Sequence, residues 1–147
     1  MRNAYTLISL VSIILIIGIL TSVAAPHLNK LKQNAQAYSV IKVAISAFCS
    51  TPSTYANMVD LENEYTDKNV TLKSLISISG NGWSYPDNNK SIYEEDGNNI
   101  ITIELSPNRD VNISINCQNF SDKVTRDKCE SQTNNNPTKK YYAIITF

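Results

Sequence analysis

The sequence predicts an α+β fold, in which one long N-terminal helix packs on a small antiparallel sheet of three or four strands. Three observations predict it. An uncharged run extends from Ala4 to Pro26, apolar residues continue at helical spacing as far as Phe48, and short β-branched segments occupy the last third of the 147-residue chain. This length is sufficient for one globular domain beside the apolar run.

The apolar run is long enough to cross a bilayer as a helix. Its central part, Tyr5–Ala25, has 21 residues, and about 20 are needed to span the hydrocarbon core. The cationic end at Arg2 is expected to stay in the cytoplasm. The residues alone leave three interpretations open: a secretory signal cleaved near Ala24, an uncleaved anchor, and a segment that both anchors and assembles. The run is longer than the usual 7–15 residues of a secretory signal, which disfavours the first.

Beyond the run, helical spacing continues. The apolar residues are separated by three or four positions, namely Leu28, Leu31, Ala35, Tyr38, Ile41, Ile45 and Phe48. This spacing predicts a helix from near Tyr5 to near Phe48, kinked at Pro26 and ended by Pro52. Its second half is expected to lay one face on the sheet.

The clearest strands lie late in the chain. The segments Asn99–Leu105 and Val111–Cys117 flank the turn "SPNRD" and predict a hairpin, and Tyr141–Phe147 predicts a last strand. Residues 53–79 are interpreted as a connection with a short helix near Leu72–Ile76. The segments "SGNGW" and "YPDNNKS" are rich in turn residues.

The order of residues at the N-terminus is more specific than its composition. It resembles the N-terminus of type IV pilins and type II secretion pseudopilins over roughly residues 1–48. Ala4 stands where that family usually has Gly, and Tyr5 where it usually has Phe. Thr6, Leu7, Ile8 and Leu10 match the family directly, and Gly18 and Pro26 fall at its spacing.

The resemblance implies a pilin-like fold with four parts: a leader peptide (1–4), a transmembrane or filament-core half of the helix (5–25), an amphipathic half (26–50) and a periplasmic globular domain (51–147). It also implies that a prepilin peptidase cleaves between Ala4 and Tyr5 and methylates the new amine of Tyr5. Gly18 and Pro26 would serve helix packing and bending.

The same resemblance implies a location and partners. The chain would be a single-pass protein of the bacterial inner membrane, with its C-terminal domain in the periplasm, and would enter a periplasmic filament. Its partners would be other pilins or pseudopilins through the N-terminal helix, the peptidase, and the inner-membrane assembly platform. The machine would be a type II secretion system, a type IV pilus or a DNA-uptake (competence) apparatus. The sequence does not separate these three.

One position departs from the family. Ser9 stands where the family nearly always has Glu, a carboxylate thought to neutralise the terminal ammonium of a neighbouring subunit. Burying an unpaired ammonium among apolar helices is expensive. The departure favours a minor subunit at the filament tip, where no further subunit lies above. The alternative is simple divergence.

The cysteines suggest a crosslink. Cys117 and Cys129 lie twelve residues apart around a polar loop, and in an exported domain they are predicted to form a disulfide. A cysteine-bounded C-terminal loop also resembles many type IV pilins. The alternative is that Cys49 pairs with one of them. Otherwise Cys49 is interpreted as a small buried apolar residue.

Four Asn-X-Ser/Thr sequences begin at Asn69, Asn89, Asn112 and Asn119, and the first three have an aspartate two residues before the asparagine. This longer pattern resembles the acceptor of bacterial periplasmic N-glycosylation. The surface loops expected at Asn69 and Asn89 favour modification there, whereas Asn112 falls in a predicted strand. The alternative is coincidence in an asparagine-rich chain.

Other chemistry is weakly indicated. No enzyme motif is present, and no cofactor or metal site is predicted. Calcium at the acidic residues Glu94–Asp96 or at Asp122 and Asp127 lacks ligand spacing. Basic residues near Lys123 and Lys139 are compatible with DNA contact, but interleaved acids favour a solvated surface. The competing function is a periplasmic binding domain held by a signal anchor outside any filament.

Overall fold

A computed structural model describes residues 2–61, 69–108, 110–133 and 141–146, with side chains for residues 6–59, 69–108 and 110–133. The chain begins with one continuous helix, α1 (Arg2–Ala56), which a π-helical turn follows at Asn57–Leu61. The helix contains both Pro26 and Pro52. The prediction that it ends near Phe48, before Pro52, is therefore wrong.

The hydroxyl of Thr51 explains why the helix passes Pro52. Proline has no N–H to donate to the carbonyl four residues earlier, which is that of Phe48. The Thr51 hydroxyl donates to this carbonyl instead, at 2.8 Å. Thr51 is fully buried, so the acceptor would otherwise be shielded from water without a partner.

The sheet has five antiparallel strands in chain order: β1 (Trp83–Asp87), β2 (Lys90–Glu95), β3 (Asn98–Leu105), β4 (Asp110–Ile115) and β5 (Tyr141–Thr146). The predicted hairpin is β3–β4, and the predicted last strand is β5. Both are confirmed. The expectation of three or four strands did not include β1 and β2. They flank the turn at Asn88 and Asn89, and the surrounding segment is interpreted as turn because it is rich in turn residues.

Two further helices accompany α1: α2 (Leu72–Leu75) lies between α1 and β1 in the chain, and α3 (Lys123–Thr133) lies between β4 and β5. Helix α2 confirms the predicted short helix. Thr71 and Ser74 cap its start reciprocally. Helix α3 was not predicted, and the polar loop expected between the two C-terminal cysteines is wrong. The backbone N–H of Thr125 donates to the Asp122 carboxylate at 2.8 Å at the start of α3, a typical N-cap contact.

The core lies between α1, α3 and one face of the sheet. Helix α1 buries Ala37, Ile41, Ala44, Phe48 and Thr51, at spacings of four and three that keep them on one face. The inner face of the sheet contributes β-branched and leucine side chains, namely Ile101, Ile103, Leu105, Val111, Ile113 and Ile115. The α+β class, with a long N-terminal helix packed on a small antiparallel sheet, is confirmed.

The predicted apolar stripe of α1 was correct only in part. Ile41 and Phe48 are buried, whereas Leu28, Leu31 and Tyr38 are exposed. Leu28 and Leu31 precede the part of α1 that the domain covers. The stripe predicted from spacing therefore joins residues of two different environments.

Candidate functional site

The first half of α1 is an apolar surface that nothing in the described chain covers. Its large side chains, from Leu7 to Val23, are each 53–66% exposed. Within the described residues, α1 is the one helix long and apolar enough to cross a membrane by length and composition. So much exposed apolar surface on one helix indicates a lipid or protein environment around it.

Three hydroxyls in this half, those of Ser12, Thr21 and Ser22, donate to carbonyls of their own helix. Ser12 donates to the carbonyl of Ile8 at 2.9 Å, and Thr21 donates to that of Ile17 at 2.7 Å. Such bonds to the preceding turn let hydroxyls lie in an apolar environment at low cost.

Gly18 lies in the middle of the uncovered half. A Cβ placed on it would meet no atom of the described chain within 4 Å. The fold of the single chain therefore does not require glycine here, although glycine lowers helix stability by about 1 kcal/mol relative to alanine. Close approach of another helix would supply a reason.

The other N-terminal positions named from the sequence lie on the same helix. Ser9 is exposed on the uncovered half. The backbone of Ala4 and Tyr5 is helical, and their side chains lie outside the described ones. Pro26 lies inside the continuous helix. Cleavage after Ala4 and methylation of Tyr5 remain predictions.

The second half of α1 joins the apolar half to the domain. Its inner face is part of the core, and it packs against α2, α3, β3 and β4. Its outer face stays open, and Lys42 lies 5.5 Å from the centre of the Tyr38 ring. Shallow grooves of about 530 and 380 Å³ run on either side of these two residues.

The disulfide is formed by Cys117 and Cys129, as predicted, with Cα atoms 5.6 Å apart. Both residues are buried, and the bond ties the end of β4 to α3. Cys49 is free and exposed on α1. The alternative pairing of Cys49 and its interpretation as a buried residue are both wrong, because it lies on the outer face of α1.

The four candidate glycosylation sequences fall in different environments. Asn69 is exposed in a turn before α2, and Asn89 is exposed in the turn between β1 and β2. Asn112 is half-buried within β4, as its predicted strand implied. Asn119 is half-buried after β4 and donates to the carbonyl of Asn99 at 2.6 Å.

Charged groups do not converge on a site within the described residues. No group of three or more acidic, histidine or cysteine side chains there is placed to hold a metal ion. Three of the basic residues considered for DNA contact, Lys123, Arg126 and Lys128, lie on α3. Lys139 and Lys140 lie outside the described residues.

The residues that sequence reasoning missed are small. Ala37, Ala44 and Thr51 share the buried face of α1 with the larger Ile41 and Phe48, and Gly82 lets the chain before β1 approach β2 closely. A small residue at helical spacing is a weak signal, because alanine suits both exposed and buried positions of a helix.

No protein-family model, curated protein or solved structure matches this chain.

Proposed function

We propose that this chain is a minor pilin or pseudopilin subunit of a periplasmic filament in a type II secretion, type IV pilus or DNA-uptake machine. It would wait in the inner membrane, be processed after Ala4, and assemble through α1. The observation that carries the proposal is that one unbroken helix has an uncovered apolar half and a second half built into the domain core.

This continuity supports assembly over simple export. A cleaved secretory signal needs no structural relation to the domain it exports, and neither does a flexible anchor. Here the helix runs through Pro26 without leaving the helical state. Because Ile41 and Phe48 of the same helix are buried in the core, movement of the apolar half would move the domain with it.

The disulfide supports exposure of the domain to an oxidising compartment. Disulfides persist in the bacterial periplasm and are rare in the cytosol. The Cys117–Cys129 bond is therefore consistent with a domain on the far side of the inner membrane from Arg2.

The first test is mass spectrometry of the N-terminal peptide from membranes of the native host. We expect a peptide that starts at Tyr5 and carries one extra methyl group. A start near Ala25 would mean an ordinary exported protein. An intact Met1 would mean a membrane anchor for a periplasmic binding domain outside any filament.

Two matched variants separate the processing enzymes. Ala4→Leu places a bulky residue before the proposed cut, and we expect it to block processing and filament entry. Ala25→Leu alters the small residues a secretory signal would use, and we expect processing to continue. The reverse result would contradict the proposal.

A third variant tests the position in the filament. Ser9→Glu adds the carboxylate that a subunit within the shaft needs to pair with a neighbouring ammonium. For a tip subunit, we expect the ratio of this chain to the major subunit in sheared filaments to rise. An unchanged ratio would count against tip placement.

A further inference from the structure

We propose that Asn69 is an N-glycosylation site, and that the domain carries a saccharide on its side-chain amide. This inference rests on the export of the domain in the proposed function. The sequence leaves several candidate asparagines with an aspartate two residues before them. The structure distinguishes them by what their side chains already do.

No described residue engages the side chain of Asn69. Asn69 is exposed, and its side chain makes no hydrogen bond to any other described residue. It stands in a turn three residues before Leu72, the first residue of α2, and belongs to no strand, so its modification breaks no strand pairing. The required hydroxyl at the second position after it belongs to Thr71, which is half-buried at the start of α2.

Asn89 is exposed but built into its turn. Its N–H donates to the Asp87 carboxylate at 2.7 Å, and its carbonyl accepts from the Leu105 N–H at 2.9 Å. Its side-chain oxygen accepts from the Leu72 N–H at 3.4 Å. The hydroxyl that a transferase would have to recognise belongs to Ser91, which is 0% exposed in β2. The folded chain therefore hides half of this acceptor sequence.

At the remaining two sites, the nitrogen that would be substituted already donates a hydrogen bond. The side-chain amide of Asn112 donates to the Ser106 hydroxyl at 2.7 Å, and Asn112 pairs with Glu104 on one side and Ile144 on the other. The amide of Asn119 donates to the carbonyl of Asn99 at 2.6 Å. Substitution leaves each nitrogen only one of its two N–H groups, so a sugar at either site would have to fit beside a partner that the nitrogen already binds.

The chemistry is a group transfer from a lipid-linked saccharide pyrophosphate by a separate membrane transferase. The side-chain nitrogen of Asn69 forms a bond to the anomeric carbon of the sugar. The bond between that carbon and the pyrophosphate oxygen breaks, and the lipid pyrophosphate leaves with the bonding electrons. The amide gives up one proton, so no oxidant or reductant is needed.

The test is peptide mass spectrometry of the full chain purified from its native host. Trypsin cleaves after Lys68, Lys73 and Lys90, so Asn69 and Asn89 fall in different peptides, and Asn112 and Asn119 share a third. We expect a saccharide mass on the peptide of residues 69–73 and bare masses on the other two. A bare 69–73 peptide, or sugar only on another peptide, would overturn the inference.

Variants of the same sequence separate the modification from folding. Asn69→Gln and Thr71→Asn both destroy the acceptor sequence, and Thr71→Asn keeps a residue that caps a helix well. Thr71→Ser keeps the acceptor and the cap. We expect the first two to lose the saccharide mass and the third to retain it. Retention in Thr71→Asn would exclude this acceptor.

The same digest keeps the two proposals distinct. The N-terminal peptide reports processing after Ala4, and the 69–73 peptide reports glycosylation. A methylated Tyr5 with a bare Asn69 refutes the inference and leaves the proposed function standing.

Discussion

Removing the disulfide should reveal how weakly α3 is otherwise held. The buried side chains of α3 are Thr125, Cys129 and Thr133, which are small and give little apolar burial. The Sγ atom of Cys117 lies 3.6 Å from the Thr133 hydroxyl. We therefore expect the double variant Cys117→Ala/Cys129→Ala to lose the attachment of α3 and a large part of the stability of the domain.

The magnitude follows from chain entropy. The bond closes a loop of sequence separation 12, and a crosslink of that size stabilises by about 3 kcal/mol in the loop-closure treatment. For a domain of about 100 residues this lowers the melting temperature by roughly 12–24 °C.

The assay is thermal unfolding of the full chain in detergent, followed by the fluorescence of Trp83, the sole tryptophan. Its ring centre lies 5.3 Å from that of Tyr93, which lies 6.5 Å from that of Phe120 near the disulfide. Hydrogen exchange should show α3 losing protection before β3.

The control is Cys49→Ala, which removes the free, exposed thiol and should change stability by less than about 0.5 kcal/mol. A fall of less than about 4 °C in the double variant, which corresponds to under about 1 kcal/mol, would refute the reasoning. Packing of α3 on α1 would then hold it without the crosslink.

Three further substitutions test the core, a turn and a cap. Phe48→Ala removes a core ring that is 6% exposed and should cost about 3–5 kcal/mol in denaturant unfolding, whereas Val43→Ala, at 41% exposed, should cost under about 0.5 kcal/mol. Gly82→Ala should cost several times more than Gly97→Ala: both have positive φ, but a Cβ on Gly82 would lie 2.7 Å from a backbone oxygen of β2, and one on Gly97 would meet nothing within 4 Å. Equal losses would show that backbone conformation alone decides. Asp122→Ala removes the acceptor at the start of α3 and should cost about 0.5–2 kcal/mol, with most of the loss recovered in Asp122→Asn; identical stability of the two variants would contradict the capping role.

Much of α1 could be predicted from the sequence because its apolar pattern extends over many residues. The residues from Ala4 to Pro26 form one long, uncharged and mainly apolar run. A run of that length predicts a helix from composition and length alone. Helical spacing beyond them extends the helix but does not say which face a neighbour covers. Leu31 fits the spacing and is exposed, whereas Ala37 interrupts the apolar pattern and is 0% exposed.

The sheet shows the same division. The strands of the β3–β4 hairpin are rich in β-branched residues and flank a proline-containing turn, so local preference and tertiary structure agree. Strands β1 and β2 together contain one β-branched residue, Ile92. Their position depends on β3 and on contacts such as the Tyr85 hydroxyl, which accepts from the Ile78 N–H at 2.8 Å. Those contacts join residues whose proximity no local pattern encodes.

The sequence by itself determined the apolar N-terminal helix, the late hairpin and the four asparagine acceptor sequences, because each depends on residues close together in the chain. Only the tertiary structure decided that α1 passes Pro52, that Cys117 pairs with Cys129 and leaves Cys49 free, that α3 packs on α1, and that the side-chain amide of Asn112 donates a hydrogen bond whereas that of Asn69 bonds to no described residue. These outcomes depend on which distant groups supply hydrogen bonds and exclude water. Residues far apart in the chain become partners only when the fold packs them together.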